Sequence, residues 1–320
     1  MSSLMAPVTL FAFNRPDTFG RVLNNLAKCE NFAGGSGRRS FYAFLDAPRN
    51  EKDASQCAAV KKLAEDFRRS HCPQLEIICR ERNYGCAYNI PDGIQQVLDA
   101  HGRTIIVEDD ILVSRYFLSY MDEALEMYTG RPEIFCINAW RTPMVKVPRC
   151  YGHDVYLNNR NMCWGWGTWK DRFRAVDFTL SDYNEFISDP KNVDAIDAAG
   201  VGLRRMLDSQ LSGCLGTWDV QCSYHMIKNQ MWAIEPRWAM TKNIGFGGGV
   251  HVQRRWFYRG DTAKYWNFRP RLERDIEPND EIVRQFRYAY FNPSIYVRAW
   301  RKFSRMIKMF SPLHDEPKDI

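Results

Sequence analysis

The sequence predicts an α/β fold: a mostly parallel sheet with helices on both faces, and a helical extension at the C-terminus. Three observations predict it. Over the first 110 residues short apolar runs alternate with stretches of helical period, the βαβ pattern that a parallel sheet with covered faces accommodates. Each apolar run is followed at once by polar residues, as at the ligand-binding edge of an open α/β sheet. From Arg284 to Phe310 the chain carries seven basic residues and no acid, with apolar residues at helical spacing.

Val8–Phe13 is a strand-length apolar run, followed by the loop Asn14-Arg15-Pro16-Asp17, in which Asp17 or Thr18 can cap a helix running to about Lys28. Ser40–Leu45 is the second strand; it ends at Asp46, and Pro48 prevents its continuation. Ala54–Arg69 has helical spacing and Leu75–Cys79 is a third strand. A helix at Ile90–Ala100 then follows the turn Asn83-Tyr84-Gly85. The fourth strand, Thr104–Val107, runs straight into Glu108, Asp109 and Asp110, and a helical pattern follows at Ser114–Tyr128. Tyr183–Leu211 reads as a polar, helix-like insertion with little chemistry in it.

Three consecutive carboxylates at the end of a buried strand repel one another, and a hard divalent cation is the usual remedy. Mg²⁺ or Mn²⁺ fits best, because such an ion needs only one or two carboxylates and bridges the protein to a phosphate-bearing substrate. The competing reading is a solvated acidic turn that caps the following helix. Polar residues also follow the earlier strands, at Asn14-Arg15, at Asp46 and at Arg80/Arg82-Asn83. Four such sets delivered to one crevice favour a nucleotide site over isolated turn chemistry. Neither GxGxxG nor GxxxxGK[ST] occurs, so neither a dinucleotide fingerprint nor a P-loop explains the crevice.

Composition bounds the rest. The 320 residues allow one enzyme-sized unit of two closely packed halves, and ten tryptophans make it aromatic-rich. The net charge of +6 is modest and concentrated near the C-terminus. No apolar run reaches the ~18–20 residues of a membrane span, and the N-terminus lacks the basic-then-apolar layout of a signal peptide, so a cytosolic protein is expected. The ten cysteines include no CxxC pair, which argues against zinc or a disulfide framework and for reduced, buried thiols.

The segment Thr104–Pro143, with its strand, Glu-Asp-Asp, Ser-Arg-Tyr-Phe helix start and Phe-Cys-Ile-Asn-Ala-Trp strand, resembles the core of GT-A-fold glycosyltransferases. It is similar in particular to the alpha-1,3-mannosyl-glycoprotein 2-beta-N-acetylglucosaminyltransferase family and its bacterial relatives. The likeness continues through Trp164-Gly165-Trp166-Gly167, Thr217-Trp218-Asp219, Glu235-Pro236 and Asn243–His251, covering roughly residues 7–258. It implies a Rossmann-like GT-A sheet with a nucleotide-sugar-binding half at 1–150 and an acceptor-binding, base-supplying half at 151–260. A basic amphipathic extension follows at 261–320.

The resemblance also implies roles. Asp110 would bind the metal directly, with Asp109 beside it and the metal holding the donor diphosphate. Glu108 and Asp109 would contact the ribose or metal waters, Asp46 the uracil, and Arg82 with neighbouring Asn83 the phosphates, Arg80 being the alternative. Asn14 and Arg15 would lie beside the base. Asp219 matches the general base of an inverting reaction, and His251 the region that closes over the pyrophosphate. Gly247-Gly248-Gly249 permits close backbone approach there. Asp219 has a rival reading as the N-cap of a helix at Gln221–Lys228. Among the indoles, Trp164, Trp166 and Trp218 are the candidates for stacking on the acceptor sugar, with at least one expected in the core instead.

The implied activity is transfer from a UDP-sugar to a glycan acceptor. Val297, Trp300, Phe303, Ile307 and Phe310 share a helical spacing largely apart from Arg298, Arg301, Lys302, Arg305 and Lys308. This pattern suits a helix lying on an anionic membrane surface, such as the inner face of the cell membrane, or one packed on the body with its basic side in water. The first option points to a lipid-linked acceptor and surface-polysaccharide synthesis; no motif supports nucleic-acid binding. A sugar-phosphate nucleotidylyltransferase is the alternative enzyme, although Phe13-Asn14-Arg15-Pro16 has none of the glycines expected after its first strand. A non-catalytic glycan-binding protein is the alternative outside enzymes.

Overall fold

The structure, a computed structural model, describes residues 5–32, 39–245, 266 and 268–289. β1 (Val8–Ala12), α1 (Pro16–Leu26), β2 (Phe41–Leu45), α2 (Glu51–Ser70), β3 (Leu75–Cys79), α3 (Cys86–His101) and β4 (Arg103–Glu108) alternate as the sequence predicts. β5 (Ile111–Val113) and α4 (Phe117–Met127) follow, then β6 (Ile134–Asn138), β7 (Val155–Asn158), β8 (Trp166–Trp169) and α5 (Lys170–Phe173). The insertion resolves into α6 (Tyr183–Phe186), α7 (Pro190–Ala198) and α8 (Leu203–Leu211). α9 (Asp219–Lys228), β9 (Trp232–Pro236), β10 (Thr241–Asn243) and α10 (Asp280–Ala289) complete the described elements.

Eight strands form one sheet in the order β3-β2-β1-β4-β8-β6-β9-β7. β1 pairs in parallel with β2 and β4, setting Phe11 beside Glu108, and β2 pairs in parallel with β3. β8 is antiparallel to both β4 and β6, and β7 antiparallel to β9. Residues on either side of position 150 therefore share one sheet. Every β1 position is buried, so its sequence reads as an unbroken apolar run rather than an alternation.

The two faces carry different helices. Val8, Leu10, Ile105 and Val107 pack with Phe19 and Val22 of α1, Val60 of α2 and Leu118 of α4. The opposite face places Phe11, Phe44 and Ile106 against Ile94 and Leu98 of α3 and Cys222 and Met226 of α9. This is the α/β class, with helices on both faces, that the sequence predicts. α6, α7, α8 and α9 share a further apolar cluster around Tyr183, Ile196, Leu203 and Tyr224.

Element starts differ from the sequence expectation for local reasons. α1 opens at Pro16, whose missing N–H is not needed in a first turn, and neither Asp17 nor Thr18 caps it; Thr18 Oγ1 donates to Arg15 O at 3.2 Å. α2 opens at Glu51 because the Asn50 side chain accepts from Lys52 N at 3.0 Å. Ile111–Val113 is extended, pairing antiparallel with β10, which delays α4 to Phe117. Gly165, at φ +78°, bends the chain into β8 where a Cβ would stand 2.7 Å from Thr241 Cγ2.

Of the C-terminal extension, α10 packs Ile282, Phe286 and Ala289 against Trp140, Val145 and Tyr156, and Arg287 bonds Asp194 at 2.8 Å. α10 thus belongs to the body. Trp300, Phe303 and the basic residues from Arg298 onward lie outside the described residues. No helix among the described residues is long and apolar enough to cross a membrane.

Two buried charges invite tests. Arg39 is fully buried and donates to Ala6 O at 2.5 Å, to Asn31 O at 3.3 Å and to both oxygens of Asp122, at 3.0 Å for Oδ1. Asp122→Ala leaves that guanidinium without its counter-charge and lowers stability by about 3–5 kcal/mol. A urea midpoint equal to wild type contradicts this. On the other half of the sheet, Glu235 is buried and accepts from Tyr156 Oη and Asn158 Nδ2; burial pushes its acid up to about 7 from an ordinary 4.5. The folded state therefore binds this proton more tightly, so its contribution to stability is whole below pH 4.5 and is lost as pH rises through about 7. Glu235→Gln flattens the pH dependence of Tm across that window; an unchanged slope assigns it to other groups.

Candidate functional site

The parallel pairing sends the carboxyl ends of β1, β2, β3 and β4 to one edge of the sheet, and with them Asn14-Arg15, Asp46, Arg80 and the acidic triplet. α9 begins at the same edge. Asp219 is its first residue, close enough that its charge raises the Glu108 acid. The structure thus brings the acids of β4 and the candidate base together from positions more than a hundred residues apart.

Asp109 and Asp110 are buried, 3% and 9% exposed. Arg15 lies against both. Its Nη1 donates to Asp110 Oδ2 at 2.8 Å, while Nε, at 3.3 Å, and Nη2 donate to the two oxygens of Asp109. Phe13 N donates to Asp109 Oδ2 at 3.4 Å. Burial, opposed by Arg15, moves the Asp109 acid up to about 6. The Glu108 acid is raised well above its ordinary range by burial first, then by Asp110 and Asp109. The sequence places Arg15 beside the base; in the structure its fork is bound to the acids.

β5 and β10 position the far wall. Ile244 N donates to Asp110 O at 2.8 Å, and a Cβ on Gly245 would stand 2.1 Å from Asp110 Oδ2. A side chain there would displace the Asp110 carboxylate or the Arg15 fork. The signal lay in the glycine-rich run that begins at Gly245, although the sequence drew attention to Gly247–Gly249. Those glycines and His251 lie outside the described residues.

Asp46 takes four donors: Ala47 N at 3.0 Å and Tyr84 N at 2.8 Å on Oδ1, Gly85 N at 2.8 Å and Asn83 Nδ2 at 3.2 Å on Oδ2. That fills a carboxylate's lone pairs, so Asp46 and Asn83 join the loops after β2 and β3, and a base could bind Asp46 only by exchange. Asn14 is likewise engaged, donating to Asp53 Oδ1 at 2.6 Å. Arg80 is tied to Asp92 at 2.5 Å and to Asn89 Oδ1 at 2.8 Å, which leaves Arg82, exposed and over the Tyr84 ring at 5.6 Å, as the basic group facing solvent.

Asp219 does not cap α9. Trp218 is the N-cap residue, with no side-chain cap bond, and the Asp219 carboxylate accepts from Thr217 Oγ1. Cys86, at the start of α3, donates to Gly216 O at 3.3 Å, closing α3 against the loop that delivers Asp219. Trp166 and Trp218, 0% and 3% exposed, stack at 5.4 Å and present no face to an acceptor. Trp164 is partly buried, edge-on to Trp140 at 4.6 Å, so the expectation of an indole toward the acceptor falls on it.

Among the described residues no three or more His, Cys, Asp or Glu gather as a metal cage. A cation held by one or two carboxylates, water and phosphate does not need one. Asp110 suits that arrangement: Oδ2 accepts from Arg15 and Oδ1 from none of the described residues.

No protein-family profile matches the sequence, and no curated protein matches it. Solved structures similar to it include S. aureus TarS (12% identity, TM-score 0.36, over 54% of this chain and 30% of that one). A second is the mannosyltransferase PcManGT from Pyrobaculum calidifontis in complex with GDP-Man and Mn²⁺ (11%, 0.36, over 53% and 46%). A third is GalNAc-T7 with UDP, GalNAc and Mn²⁺ (10%, 0.46, over 74% and 43%). The chain spans less than half the length of each of these three. At these identities and TM-scores the likenesses assign no activity to this chain.

Proposed function

We propose that the chain is a metal-assisted, inverting glycosyltransferase of GT-A fold that moves a sugar from a UDP-sugar to a hydroxyl of a glycan acceptor. The observation that carries the reading is the meeting of Glu108, Asp109 and Asp110 with Asp219 at the carboxyl edge of a parallel sheet. Breaking a sugar–diphosphate bond leaves negative charge on the leaving group. A divalent cation, when bound, supplies the positive charge that stabilises it. The chain's own residues do the remainder. Asp110 would hold the cation, and Arg82, exposed at the rim, offers its guanidinium to a phosphate. Glu108 would contact the ribose or the waters of the metal. Asp219, whose carboxylate is bound by a single hydroxyl, would take the proton of the attacking acceptor hydroxyl. Trp164 would line the acceptor side. The basic pattern beyond Arg298 favours a lipid-linked glycan as acceptor.

Thermal shift with nucleotide sugars tests the reading. A UDP-sugar together with Mn²⁺ stabilises the protein, by about 2.7 kcal/mol at a concentration 100-fold above Kd, and neither does so alone. If no nucleotide sugar raises Tm in the presence of Mn²⁺, the reading fails.

A further inference from the structure

Arg15 stands where a cation is wanted, and its fork is divided unequally. Nε and Nη2 grip the two oxygens of Asp109, while Nη1 alone reaches Asp110, at 2.8 Å. Asp109 also accepts from Phe13 N, whereas the Asp110 side chain takes no other donor from the described residues. A two-point, charge-assisted pair is geometrically specific and strong; a single bond to the second acid is the weaker contact. Gly245 seals the opposite side, where even a methyl group would lie 2.1 Å from Asp110 Oδ2 and 2.8 Å from Nη1. While the Nη1 bond stands, Oδ2 is occupied and a positive charge lies beside it.

We propose that Arg15 is a resident counter-ion: the lasting partner of Asp109, and an exchangeable partner of Asp110 whose charge opposes a divalent cation on that carboxylate, even at its open Oδ1, until the contact is released. Asp109 is then the anchor of Arg15 rather than a metal ligand. The guanidinium is planar, so Nη1 does not turn away alone; the fork parts from Asp110 by tilting about its Asp109 contacts, and the Arg15 side chain is 28% exposed. What draws it off is negative charge, and a nucleoside diphosphate brings both that charge and extra oxygen ligands for the ion. Cation and diphosphate therefore bind together, each tightening the other, while without them the acids stay neutralised and the site stays formed. This rests on the reading that Asp110 receives the cation.

The test is Mn²⁺ binding to the full-length protein, followed through the electron paramagnetic resonance signal of free Mn²⁺, with and without UDP. Wild type binds Mn²⁺ at least about fivefold more tightly with UDP than without it. Arg15→Gln tightens binding without UDP by a factor of at least about five and shrinks the UDP effect. Arg15→Lys, which keeps the charge but cannot span both acids, falls between them and serves if the Gln variant does not fold. Asp110→Asn binds no Mn²⁺ in any background. Equal UDP-free affinity in wild type, Arg15→Lys and Arg15→Gln overturns the counter-ion role while leaving Asp110 as the ligand. Absence of Mn²⁺ binding to wild type with UDP overturns the metal assignment itself.

Discussion

Asp110→Ala abolishes Mn²⁺-dependent binding of the donor sugar nucleotide and leaves the protein folded. Asp110 Oδ1 is engaged by no described residue, so loss of the side chain removes the place where a cation would be held. The fold survives because what Asp110 contributes to structure is mainly main chain: its carbonyl accepts from Ile244 N, a bond that alanine keeps. Arg15 retains both contacts to Asp109. Calorimetric titration of a UDP-sugar with Mn²⁺ and with EDTA checks this. Wild-type affinity in the variant removes the metal assignment.

Asp219→Asn lowers kcat by about 10²-fold or more and leaves donor affinity nearly unchanged, because an amide cannot take the acceptor's proton. Structural loss is an unconvincing alternative, since Asp219 is the first residue of α9 rather than its cap. The helix forfeits only the favourable placing of an acid in its first turn, about 0.3–1 kcal/mol. Thr217 Oγ1 can donate to the amide oxygen as it does to the carboxylate. Steady-state rates paired with a donor-binding titration separate the two effects, and a variant turning over at the wild-type rate returns Asp219 to a structural role.

How far the sequence reveals this site depends on how local each feature is. β1, β2 and β4 were legible because buried parallel strands write themselves as largely apolar runs, β3 because Leu and Ile still mark an edge strand whose Glu76 and Cys79 are exposed, and the acids ending β4 follow from its boundary. β5 and β10 were not legible: three-residue strands have no period, yet their pairing carries Gly245 to Asp110. The reach of Arg15 to acids 94 and 95 positions away, and the capture of Asp46 by main-chain N–H groups 38 and 39 positions on, are tertiary facts that no window of sequence contains. The tryptophan block shows the same limit. Glycine spacing announced the bend at Gly165, but only the sheet decides that Trp166 enters the core on Trp218 while Trp164 stays near the edge.

The central claim is that this sheet edge transfers sugar from a nucleotide, and the most direct measurement is release of UDP from UDP-sugars in the presence of a glycan acceptor. The account predicts release that requires Mn²⁺ or Mg²⁺, stops with EDTA, is lost in Asp110→Ala and falls by about 10²-fold in Asp219→Asn. Release that persists undiminished in both variants, or none from any nucleotide sugar with the metal supplied, contradicts it.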